Sequence, residues 1–160
     1  MTNERYVHNL LLAGIGGKVS KPVIFFLNCA RNQISGALIM YKLSVSKYIS
    51  AAHQLNGYDG PCAHIHGHNW KIQIDVQAEI LSKTGIAIDF NDLERWLWQI
   101  IGPFDHQLIN TMTPFDHLNP TAENLVKYIF EEMKKKLPEG ARLARVSAWE
   151  TDSCMVSYEE

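Results

Sequence analysis

Cys62-Ala63-His64-Ile65-His66-Gly67-His68 runs straight into Asn69-Trp70-Lys71-Ile72-Gln73-Ile74-Asp75-Val76-Gln77-Ala78-Glu79-Ile80. From Trp70 to Ile80 every second residue is apolar, and Lys71, Gln73, Asp75, Gln77 and Glu79 fill the gaps. Side chains of a strand alternate between faces, so this pattern predicts a half-buried antiparallel strand over 68–80.

The histidines at its head inherit that parity. His66 and His68 stand at i and i+2, on one face and about 6–7 Å apart along a strand. Gly67 between them leaves the opposite face open. To the N-terminal side, Tyr41, Leu43 and Val45 alternate with polar residues and predict a strand running to about His53. A hairpin pairing of the two strands brings His53 towards His66 and His68. Three imidazoles with an open fourth position describe a catalytic zinc site, whereas structural sites recruit four protein ligands, often thiolates. Four of the seven histidines lie between residues 53 and 68, a density that isolated surface or core histidines do not produce. His64 shares the parity but sits nearer the loop, which suggests an outer or exposed role.

Cys62 precedes His66 by four residues. A neighbouring cation lowers a thiol's pKa and favours thiolate, so Cys62 is the candidate catalytic thiol. A fourth zinc ligand and a small buried apolar residue are the competing readings. Cys29 and Cys154 have no such company.

Downstream, Lys83-Thr84-Gly85 reads as a turn, and Ile86 to Asp89 as a short partner strand. Asp89 or Asn91 caps a helix with Leu93, Trp96, Leu97, Ile100 and Ile101 at helical spacing, ended by Gly102-Pro103. Pro120-Thr121 opens a second helix with Leu125, Val126, Ile129, Phe130 and Met133 on one side. Lys134-Lys135-Lys136 falls in its last turn, where positive charge suits the helix dipole. Strands at about 142–150 and 154–158 complete the order ββααββ. The fold class is α+β: an antiparallel sheet with two helices on one face.

The chain of 160 residues has 46% hydrophobic residues and a formal net charge of −2, with a pI near 6.4. It is long enough for one domain with a core. The charge argues against a nucleic-acid partner recruited by bulk positive potential. Three widely spaced cysteines are not the disulfide framework of a small secreted domain, which points to a reducing, cytoplasmic setting. No apolar run reaches spanning length, so no membrane partner is expected. Residues 1–39 lack sustained periodicity and a clear signal-peptide pattern. They read as an N-terminal extension outside the fold, with a catalytic domain over 40–160.

The set Ala52-His53, Cys62-x3-His66-Gly67-His68, Asp89-Phe90, Asp105-His106, Pro120-Thr121-Ala122-Glu123-Asn124 and Trp149-Glu150-Thr151 resembles the 6-pyruvoyltetrahydropterin synthase superfamily. The resemblance covers about Met40 to Tyr158. The three-residue gap between Cys62 and His66 looks like the 6-carboxytetrahydropterin synthases of the queuosine and 7-deazaguanine pathway; the pyruvoyl-forming enzymes typically carry a longer gap. The resemblance implies a T-fold (tunnelling fold) whose sheets join between subunits into an oligomeric barrel, commonly a hexamer made as a dimer of trimers, with active sites between subunits. It implies the substrate 7,8-dihydroneopterin triphosphate, converted to 6-carboxy-5,6,7,8-tetrahydropterin, acetaldehyde and triphosphate.

It also implies roles. Zn2+ held by His53, His66 and His68 would acidify substrate hydroxyls. Cys62 would be the base, and Asp105-His106 the acid–base partner pair. The dipeptide occurs twice, but only Asp105-His106 has the family's spacing to a following Asn, here Asn110; Asp116-His117 reads as an ordinary loop pair. Glu150 matches the carboxylate that anchors the pterin's guanidine-like edge, and Thr121 and Glu123 match helix-start contacts to the same ring. For Glu123 the simpler reading is a first-turn glutamate suited to the helix dipole. Trp70 and Trp149 read as packing residues. Two further activities remain open: pyruvoyl-pterin formation from the same substrate, and a zinc-binding module without turnover.

Overall fold

A computed structural model describes residues 40–160. The expected extension at 1–39, with Cys29, lies outside the described residues. The elements run β1 (Tyr41–His53), β2 (His66–Ala78), α1 (Phe90–Ile101), α2 (Ala122–Lys134), β3 (Ala141–Thr151) and β4 (Cys154–Glu159). They form a four-stranded sheet in the order β1-β2-β3-β4, antiparallel throughout. Both helices fall between β2 and β3 in sequence, and α1 packs on β1 while α2 packs on β3 and β4.

The alternation sorts the sheet into two faces. Val45, Ile49, Trp70, Ile72, Ile74, Val76, Val146 and Ala148 are buried against Leu93, Leu97 and Ile101 of α1 and Leu125, Ile129, Phe130 and Met133 of α2. The other face carries Ser44, Ser50, Asn69, Gln73, Asp75 and Arg145. There Asp75 accepts from Ser44 Oγ at 2.5 Å, Gln73 Nε2 at 2.9 Å and Arg145 Nε at 2.8 Å.

Both helix starts are capped as their sequences require. Asp89 Oδ1 accepts from the Asn91 amide at 2.8 Å, and Thr121 Oγ1 from the Asn124 amide at 3.2 Å.

Two expectations are corrected. Ile86–Asp89 is not a strand. Ser82 N donates to Ile86 O and Ile86 N to Ser82 Oγ, closing a loop on Gly85 at φ +81°, and Asp89 is spent on the helix cap. β2 also starts two residues before the predicted 68 and ends at Ala78, because its pairing begins at His53↔His66 and finishes at Tyr41↔Ala78. Ile80 therefore lies beyond the sheet and is exposed. Among the described residues no helix is long and apolar enough to cross a membrane.

Candidate metal centre and active site

The β1–β2 register puts His53 opposite His66 and Ala51 opposite His68, so all three histidines emerge from the buried face at one end of the sheet. Their ring centroids are 4.5 Å (His53–His66), 5.2 Å (His53–His68) and 5.0 Å (His66–His68) apart. One ligand atom from each lies within 4.8 Å of the others. Trp70 floors the cluster, 5.1 Å from the His53 ring and 5.2 Å from the His68 ring, and is fully buried.

Backbone carbonyls orient the rings. A carbonyl only accepts, so His53 Nδ1 donates to Pro120 O at 2.7 Å, and His66 Nδ1 donates to His64 O at 2.8 Å. That fixes the tautomer with the Nε2 lone pair facing inward, the arrangement that metal-binding histidines adopt. His53 Nε2 and His68 Nε2 are buried with no hydrogen-bond partner. Buried polar atoms are otherwise almost always satisfied. Burial lowers the pKa of His53, with His66 and His68 adding in the same direction against the opposing pull of the Pro120 carbonyl and Glu150. Burial likewise lowers that of His68. Two buried imidazole nitrogens without partners, on His53 and His68, meeting a third from His66 are the donor set of a metal site, and the residues present fit a zinc ion.

Glu150 joins the cluster. It falls where the β3–β4 pairing skips from Trp149 to Thr151, a bulge of the kind that re-aims a side chain. Its Oε1 lies 3.9 Å from His53 Nε2, and the side chain is partly open at 32% exposure.

The remaining candidates stand around this core. Cys62 is half-buried in a single 3₁₀ turn, Pro61–Ala63, and its carbonyl accepts from Leu55 N at 2.8 Å. Thr121 is the α2 cap described above, and the adjacent Pro120 carbonyl is the His53 acceptor. Glu123 is exposed in the first turn of α2.

Asp105 and His106 lie on the outer edge of β1. Ser50 N donates to Asp105 Oδ1 at 2.8 Å, His106 N to Ser50 O at 2.6 Å, and Ala52 N to Gln107 O at 2.9 Å. The Ser50 amide holds the Asp105 carboxyl below the usual carboxylate range, with a further contribution from His106. His106 adopts φ +57°, a left-handed conformation that is uncommon outside glycine. Its Nδ1 is 3.1 Å from Asp105 Oδ2, and its ring is 80% exposed. An open cleft of about 510 Å³ runs beside it, lined by Ser50, Gly67, His68, Asn69 and His106. No hydrogen bond or ion pair joins Asp105 or His106 to Cys62 or to the three histidines. Asp116-His117 is a local surface pair, 3.5 Å apart.

The sequence reading overlooked the partners that orient the site. The carbonyls of His64 and Pro120 and the amide of Ser50 are backbone groups, which no residue type announces. His64 is an exposed residue whose carbonyl, not its ring, serves the cluster.

Comparison with known proteins covers the stretch of chain that carries these residues. A profile of the family described as 6-pyruvoyl tetrahydropterin synthase matches residues 42–160. A Haemophilus influenzae protein named 6-carboxy-5,6,7,8-tetrahydropterin synthase is 28% identical over 143 residues, covering 76% of this chain and 100% of its own length. Human 6-pyruvoyl tetrahydrobiopterin synthase is 34% identical over 117 residues, covering 71% of this chain and 79% of its own. Among solved structures, Caenorhabditis elegans 6-pyruvoyl tetrahydropterin synthase superposes with a TM-score of 0.69 at 22% identity, over 77% of this chain and 97% of that one. The architecture is therefore the α+β T-fold expected from the sequence.

Proposed function

Because this chain belongs to the 6-pyruvoyl tetrahydropterin synthase family, we propose that it is a zinc-dependent lyase converting 7,8-dihydroneopterin triphosphate and water to 6-carboxy-5,6,7,8-tetrahydropterin, acetaldehyde and triphosphate. The observation that carries the reading is the pair of buried, unpartnered Nε2 atoms on His53 and His68, facing His66 at one end of the sheet. The three-residue gap between Cys62 and His66 and the relative from Haemophilus influenzae favour the carboxy product and a place in 7-deazaguanine synthesis.

His53, His66 and His68 would hold the zinc ion, which when bound acidifies the substrate's side-chain hydroxyls. The chain's own groups do the rest. Cys62, as thiolate, takes the proton from the carbon attached to the pterin ring, and a reducing, cytoplasmic setting keeps its sulfur unoxidised. Asp105 fixes the His106 tautomer through Nδ1, leaving the exposed Nε2 to carry protons. Glu150 accepts the adjacent N–H groups of the pterin edge. The Thr121 hydroxyl accepts one bond as a helix cap but keeps its own proton to donate. Glu123 stands in the same first turn.

Asp105-His106 lies at the outer edge of β1, while His53, His66 and His68 lie on the helix-packed face of the β1–β2 pair, with no hydrogen bond or ion pair joining the two groups. That separation supports a site completed by a neighbouring copy. Among the described residues the outer edges of β1 and β4 end the sheet, which supports assembly into a hexamer as a dimer of trimers by sheet continuation.

The pyruvoyl product is the second reading, favoured by the 34% identity to the human enzyme. Incubation of the zinc-loaded protein with 7,8-dihydroneopterin triphosphate decides between them. Acetaldehyde in proportion to triphosphate is expected. Triphosphate without acetaldehyde would replace the carboxy product by the pyruvoyl one, and neither product would remove the lyase reading.

A further inference from the structure

The outer edge of β1 does not end at His53. Ser50 and Ala52 are bridged there by the Asp105 carboxylate and by the backbone of His106 and Gln107. Beyond His53 no strand continues, yet the bridging does. Gln54 N donates to Asn110 Oδ1 at 2.9 Å, and Asn110 Nδ2 donates back to Gln54 O at 2.9 Å. Two residues on, Asn56 N donates to Asn119 Oδ1 at 2.8 Å, and Asn119 Nδ2 donates to Asn56 O at 2.8 Å. A primary amide carries the same donor and acceptor as a peptide group. Each asparagine therefore makes the paired bonds that a neighbouring strand would make.

The opposite edge of this short segment is fixed as well, by Leu55 N donating to the Cys62 carbonyl at 2.8 Å. Gln54–Asn56 is thus a strap leaving His53 at one end and holding the turn of Cys62 from its middle. Asn119 is itself anchored on the far side. Its carbonyl accepts from Thr121 N at 2.8 Å and Asn124 Nδ2 at 2.9 Å, and the next carbonyl along, that of Pro120, accepts from His53.

We propose that Asn110 and Asn119 are positioning residues that set Cys62 against His53 by clamping the Gln54–Asn56 strap between them. The inference rests on the reading of Cys62 as the base and His53 as a ligand. Neither asparagine hydrogen-bonds a histidine ring or the Cys62 thiol, so the two side chains act only through the strap. The residue type matters. An aspartate at either position accepts from the strap amide but cannot donate, and it sets a carboxylate against the strap carbonyl.

The test uses the full, zinc-loaded chain with Cys29 and Cys154 replaced by Ser, so that Cys62 is the one reactive thiol. N110D and N119D are compared with N110A and N119A; the aspartates change shape least and carry the test if the alanines do not fold. Expected are a kcat lowered about 10- to 100-fold, the scale of a misplaced reacting group, with KM near wild type. The rate of Cys62 alkylation by iodoacetamide should change, and one zinc per chain should be retained. Variants that melt at lower temperature yet keep the wild-type alkylation rate and kcat would overturn the proposal. If the wild type proves inactive on the pterin, the functional reading fails, while alkylation rate and zinc content still decide whether the clamps place Cys62.

Discussion

His53 Nδ1 donates to the carbonyl of Pro120 at 2.7 Å, while its Nε2 is buried without a partner. One bond thus ties the end of β1 to the start of α2 and leaves the ring a neutral donor pointing inward.

His53→Ala should remove a ligand. Zinc content measured by atomic absorption is expected to fall from one per chain to well below it. Replacing an orienting partner of a ligand costs about 10–100-fold in affinity, and loss of the ligand itself should exceed that.

Cys62→Ala is expected to abolish turnover while one zinc per chain remains. Zinc lost together with activity would make Cys62 a fourth ligand and end its assignment as the base.

Glu150→Gln should weaken pterin binding. A charge-assisted hydrogen bond contributes about 1.5–3 kcal/mol, so KM is expected to rise about 10- to 100-fold with a smaller change in kcat. An unchanged KM would remove Glu150 from the ring contact.

The pH response of zinc follows from His53 and His68, whose pKa values are lowered chiefly by burial. Their neutral forms are favoured in the folded protein. The associated stability is present above the ordinary histidine value of about 6.5 and is lost as pH falls through the lower folded values. Zinc release and destabilisation should therefore begin on the acid side of that value. Melting curves at a series of pH values check it; stability rising on acidification there would contradict it.

Asp75 responds lower on the pH scale. Burial opposes its ionisation, but bonds from Ser44, Gln73 and Arg145 outweigh it and hold the carboxyl below its ordinary value. Its contribution is present above the usual aspartate pKa of about 3.9 and fades as pH falls through the folded value. Asp75→Asn should lower stability at neutral pH and flatten the acid limb of the stability profile. Parallel acid limbs in urea titrations would exclude that role.

Much of this was legible in the residues. The alternation from Trp70 to Ala78 identified β2 and its buried face, and the same parity placed His66 and His68 together. Asp89-Phe90-Asn91 and Pro120-Thr121 announced both helix starts, and the structure makes Asp89 and Thr121 the caps. Ile86–Asp89 misled because an apolar pair beside a turn reads like a strand, while the hydrogen bonds that settle it involve Ser82. The bulge at Glu150 and the acceptors at His64 and Pro120 were hidden for a common reason. They depend on which backbone groups meet across the fold, and residue identity constrains that only weakly.

The capped edge of β1 has a consequence for assembly. From Ser50 to Asn56 its outward peptide groups are taken up by this chain; from Tyr41 to Tyr48 the alternation leaves those of Lys42, Ser44, Ser46 and Tyr48 facing out. Any strand that docks there can slide only until it meets the segment from Asp105 to Gln107. That segment is a buffer stop: it limits the docked length to about eight residues by the edge geometry, and a strand that ran up to it would end beside His106.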